Sequence, residues 1–79
     1  MVTAIVLINS KPTCIHEITA ELARLPELRD IYLVTGEYDI ICTVQATDNR
    51  ALSTIITQHI VHVNGIERTK TFLALETVK

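Results

Sequence analysis

Glu37 and Asp39 stand two residues apart beside Gly36, with Tyr38 between them. On an extended chain that spacing puts both carboxylates on one side, the starting point for general acid–base chemistry if a cleft encloses them. Glu37 is equally well explained as a solvated turn residue. The stretch suits recognition better than catalysis. A glycine-centred turn offers backbone donors, Asp39 a countercharge and Tyr38 a phenol, a set that fits a small ligand.

The other reactive side chains are less well placed. His59 and His62 are three apart and share a helix face, but His16 lies in another segment and no cysteine or carboxylate falls at ligand spacing beside the pair. They read as solvated helix residues, so neither a metal nor a cofactor is expected. Cys14 and Cys42 form no C-x-x-C pair and read as reduced thiols. Cys42 sits in an apolar run as a small hydrophobe, and Cys14 has no adjacent histidine and carboxylate to activate it. With no nucleophile elbow and no phosphate-cradling glycine loop, an enzyme is not supported.

Those groups must be held by one small domain covering residues 1–79. A chain of this size buries only about 60% of its unfolded surface, yet 48% of its residues are hydrophobic and its mean hydropathy is +0.32, with only two Tyr and one Phe. That excess of aliphatic side chains implies a second buried surface, on a partner. Seven basic and nine acidic residues give a net charge of −2 with no basic stripe, so direct nucleic-acid binding is not expected. No signal-peptide pattern or membrane-length apolar run opens the chain, and a soluble, cytoplasmic protein is expected.

A shift of 38 residues aligns Val6 with Val44, Ile18 with Ile56, Leu22 with Ile60 and Leu28 with Ile66, so each half reads strand, helix, strand. The strands are expected over 2–9, 28–35, 38–46 and 66–77. Ile15, Ile18, Leu22 and Leu25 mark one helix, ended by Pro26; Leu52, Ile55, Ile56, Ile60 and Val63 mark the other, capped by Asp48 and closed by Asn64-Gly65. Gly36 reverses the chain between the middle strands as a β-hairpin. The order βαββαβ gives an α+β, ferredoxin-like plait, a four-stranded antiparallel sheet with both helices on one face. Strand alternation assigns Ile5, Leu7, Ile41, Leu73 and Leu75, with the Thr69 and Thr71 hydroxyls, to the other face. Arg68, Lys70 and Phe72 are assigned to the helix side. So apolar an uncovered face predicts a face-to-face dimer.

Val34-Thr35-Gly36-Glu37-Tyr38-Asp39, followed by Gly65-Ile66-Glu67-Arg68-Thr69-Lys70-Thr71, resembles the paired signatures of the Lrp/AsnC effector domain, or RAM domain, and the resemblance spans essentially the whole chain. It implies dimers that assemble into octameric or decameric rings. It also implies a small effector, typically an amino acid, bound between dimers against the loop joining the second and third strands. Carried onto this chain, the effector-binding residues are Thr35, Gly36, Tyr38 and Asp39, with Asp39 meeting an α-ammonium and the Gly36 backbone the carboxylate. Glu37 occupies the variable position.

Regulators of that family carry a helix-turn-helix segment before this domain, and this sequence opens at the first strand. It therefore resembles the stand-alone members, which would act on transcription by associating with full-length relatives. Two other readings are a purely structural oligomerisation unit and a small dimeric plait-fold enzyme such as a monooxygenase or isomerase.

Overall fold

A computed structural model describes all 79 residues. Four strands, β1 (Val2–Ser10), β2 (Leu28–Leu33), β3 (Ile40–Ala46) and β4 (Ile66–Leu73), form one antiparallel sheet in the order β2-β3-β1-β4. Helix α1 (Ile15–Ala23) follows β1 through a 3₁₀ turn at Pro12–Cys14, and a continuous helical run over residues 49–62, α2, follows β3. This is the expected ferredoxin-like plait, with β2 and β4 ending two and four residues sooner, and β3 starting two residues later, than the sequence pattern suggests.

The core lies between the sheet and the helices. Ala4, Val6 and Ile8 of β1 and Ile40, Cys42 and Val44 of β3 are fully buried there with Ile18 and Leu22 of α1 and Ile60 of α2. Strict alternation in β1 and β3 produces this. Burial also drives the Cys42 thiol pKa up, to about 11, by making the thiolate unfavourable.

Asp48 caps α2 through its side chain, which accepts the Ala51 N–H at 2.8 Å. The helix then changes winding: α over Asn49–Thr54, π over Ile55–His59 and 3₁₀ over Ile60–His62. Its apolar spacing explains this. Ile55 and Ile60 are both buried, yet in an α-helix residues five apart lie about 140° apart around the axis. One π turn, in which the Ile60 N–H donates to the Ile55 carbonyl, brings both onto the sheet.

The last strand corrects one expectation. Ile5 lies opposite Phe72, Leu7 opposite Lys70 and Asn9 opposite Arg68, whereas Val6 faces Thr71 and Ala4 faces Leu73. Directly opposed residues share a face. Phe72, Lys70 and Arg68 are therefore on the open face, and Thr69, Thr71 and Leu73 on the helix side, where Thr71 and Leu73 line a shallow groove with Leu52 and Ile56. Leu75 lies beyond the strand and is 96% exposed, so it does not belong to the open face either.

With that correction the open face carries Ile5, Leu7, Tyr32, Ile41 and Phe72, joined by polar pairs such as Thr43 Oγ1 donating to Asp30 Oδ2 at 2.8 Å. Ile5, Phe72 and Tyr32 are 39%, 48% and 56% exposed. The Lys70 ammonium lies 5.8 Å from the Phe72 ring centroid, its stem along the same apolar surface.

Candidate functional site

Thr35, Gly36, Tyr38 and Asp39 fall together in the loop between β2 and β3, residues 34–39. The Val34 N–H donates to the Asp39 carbonyl at 2.9 Å and closes the loop at its base. Gly36 has φ +119°, a conformation that side-chain-bearing residues avoid, and a Cβ built on it would meet no atom within 4 Å. The glycine is required by the backbone, and the space in front of it is open.

The loop is stapled to the end of β1. The Asp39 N–H donates to the Ile8 carbonyl at 3.0 Å, and Asp39 Oδ2 accepts the Ser10 N–H at 2.9 Å. On the other side of the strand, Asn9 Nδ2 donates to the Glu37 carbonyl at 2.7 Å. Asp39 thus has a structural partner as well as its expected place in the pocket. One carboxylate oxygen holds β1, and Oδ1 accepts no hydrogen bond from the chain. Glu37 contributes its main chain to the architecture while its side chain faces solvent.

Asn9 and Ser10 are the site residues that sequence reading missed, since they stand at and just past the expected end of the first strand, 2–9. The available signal was the carboxamide of Asn9 at the end of an apolar strand; Ser10 acts through its main-chain N–H, which its residue type does not announce. Gly65, the second motif's glycine, proves structural. Its φ is +100°, its carbonyl accepts the Lys11 N–H at 3.0 Å, and a Cβ there would come within 2.6 Å of Cys14 Cβ.

The loop has no enclosing walls in a single chain. The largest concavity, about 570 Å³, lies between the helices instead, with Glu17 and Glu21 on one wall and Gln58, His59 and His62 on the other. No three His, Cys, Asp or Glu side chains are grouped to hold a metal. No helix is long and apolar enough to cross a membrane.

The family model described as the Lrp/AsnC ligand binding domain matches residues 3–79. The chain belongs to the Lrp/AsnC family. A helix-turn-helix-type transcriptional regulator of Pyrococcus furiosus is 36% identical over 77 residues, covering 98% of this chain and 51% of the regulator. The chain spans about half the length of the curated regulators it matches. Among solved structures, a Thermus thermophilus protein superposes with a TM-score of 0.94 at 35% identity, covering 100% of this chain and 99% of that one. A Neisseria meningitidis transcriptional regulator, solved as a complex with L-Met, shares the fold with a TM-score of 0.90 at 19% identity, covering 99% of this chain and 52% of the regulator. The chain thus matches the family's ligand-binding domain and has its ferredoxin-like fold.

Proposed function

We propose that this module binds a small zwitterion, an α-amino acid, at the 34–39 loop and reports its presence through self-association. The observation that carries the reading is the loop's chemistry: Oδ1 of Asp39, which takes no hydrogen bond from the chain, stands in the same short loop as the unobstructed main chain of Gly36. A carboxylate suits an α-ammonium, and main-chain N–H groups suit an α-carboxylate. Thr35 and Tyr38 complete the set. The missing walls come from a neighbouring copy.

The apolar open face is the proposed dimer surface, burying Ile5, Leu7, Ile41 and Phe72 against the same residues of a second chain. A few hundred Å² buried there contributes several kcal/mol at about 25 cal/mol per Å². Dimers then meet around the loops in rings of four or five. A ligand held between dimers stabilises the assembled form in proportion to its differential affinity. The signal passes to transcription through mixed assemblies with full-length Lrp/AsnC regulators in the cytoplasm, without catalysis or direct DNA contact by this domain.

Calorimetric titration with the twenty amino acids, L-methionine first, tests the reading. Saturable heat with at least one, lost in Asp39→Asn, is the expected result. No heat with any of them would leave a purely structural oligomerisation unit. Native mass spectrometry of co-expressed chains tests the mixed assemblies, and a complete absence of mixed species would remove that part.

A further inference from the structure

β1 and β4 slip register between Asn9 and Ser10: Asn9 pairs with Arg68 and Ser10 with Ile66, leaving Glu67 without a counterpart. Such bulges bend a strand and re-aim its side chains. Here the irregularity falls where β1 holds the loop. Ser10, 5% exposed, holds Asp39 through its main chain, while half-buried Asn9 points to the open face and holds Glu37 through its side chain.

Asn9 therefore belongs to both surfaces. Its Nδ2 donates to the loop carbonyl of Glu37 at 2.7 Å, and its Oδ1 accepts from Arg68 Nη2 at 3.5 Å. It also ends the open-face row Thr3, Ile5, Leu7, Asn9. A carboxamide is the side chain that does this, with a donor at one end and an acceptor at the other.

We propose that Asn9 couples coverage of the open sheet face to the order of the effector loop. This deepens the functional reading above and rests on its dimer surface. In a lone chain both bonds are exposed, so water competes and their net contribution is small. When a second copy covers Leu7, Ile41 and Phe72, Asn9 and Arg68 lie at the rim of the enclosed area and lose part of that competing water. The bond to Glu37 strengthens, and the loop carrying Thr35, Gly36, Tyr38 and Asp39 is held more firmly in its closed-base form. By reciprocity, a ligand that orders the loop strengthens association through the same amide.

The test needs no ligand. Amide exchange of Val34 and Asp39, whose N–H groups close and anchor the loop, is followed by NMR in the wild-type chain, in Asn9→Asp and in the face variant Ile41→Glu. Sedimentation gives each one's mass. The wild-type assembly is expected to exchange these two amides about three- to tenfold more slowly than monomeric Ile41→Glu, the effect of one net hydrogen bond. Asn9→Asp, which keeps the volume and removes the donor, is expected to remain associated and protect its β1 and β3 amides while losing that slowing. Asn9→Ser serves the same comparison if the aspartate disturbs folding. Wild-type slowing retained in Asn9→Asp and Asn9→Ser, or absent from the wild type, overturns the coupling. Equal monomeric masses for wild type and Ile41→Glu overturn the dimer surface itself, a separate failure read from sedimentation alone.

Discussion

Asp39 accepts the main-chain N–H of Ser10 at 2.9 Å, and this one contact joins the end of β1 to the loop that would hold the ligand. The residue best suited to meet an ammonium group is also the residue that satisfies a part-buried donor. Stability and recognition meet in a single side chain, and substitutions there separate them.

Asp39→Ala leaves the Ser10 N–H without its partner, at an expected cost of about 1–3 kcal/mol. For a domain of this size that lowers Tm by roughly 5 °C or more. Asp39→Asn keeps an acceptor oxygen, so its melting point stays close to wild type while amino-acid binding falls with the lost charge. Thermal melts and titrations of the two variants check the separation.

The two glycines respond differently to alanine. Gly65→Ala combines a disfavoured φ with a Cβ 2.6 Å from Cys14 Cβ, whereas Gly36→Ala meets only the backbone penalty. Expected losses are about 1 kcal/mol at Gly36 and clearly more at Gly65, where main chain or helix must shift. Denaturant unfolding measures both, and equal losses would contradict the close approach at Gly65.

Cys42 makes stability fall in alkali. Its folded pKa is about 11 against an ordinary 9.0. Between these values the unfolded chain releases a proton that the folded chain retains, so stability is full below pH 9 and declines as pH rises towards 11. The slope is at most about 1.4 kcal/mol per pH unit. Unfolding curves from pH 8 to 10.5 should show this decline in wild type and a weaker one in Cys42→Ala. At neutral pH a thiol reagent should modify Cys42 only after unfolding.

The π turn of α2 is an adjustable part. Deleting Gln58 places Ile55 and Ile60 four apart in sequence, the spacing a regular α-helix needs, so the fold should survive with a change of about 1 kcal/mol or less. Ile60→Ala, which empties a fully buried position, should cost about 2–5 kcal/mol. Circular dichroism melts distinguish the two outcomes.

The legibility of the fold followed the contrast between faces. β1 and β3 alternate around buried Val6, Ile8, Cys42 and Val44, so their register and inner face could be read from residue types. β4 carries Glu67, Arg68, Thr69, Lys70 and Thr71, polar on both sides, and offers no such contrast. A one-residue error there flips every side chain, which is why Phe72 and Leu73 exchanged faces. The loop residues were legible as a cluster because Gly36 demands a turn. Their anchoring by Asn9 and Ser10 was not, since it depends on a bulge set by pairing with a strand more than fifty residues away. The winding of α2 was hidden for a related reason, because an apolar stripe fixes which residues are buried but not how the backbone complies.

The open sheet face is expected to meet a second copy of itself, and sedimentation equilibrium of the wild-type chain beside Ile41→Glu examines that most directly. The wild type should have at least the dimer mass at micromolar concentration, with Ile41→Glu shifted to the monomer. A wild-type chain that remains monomeric there would contradict it.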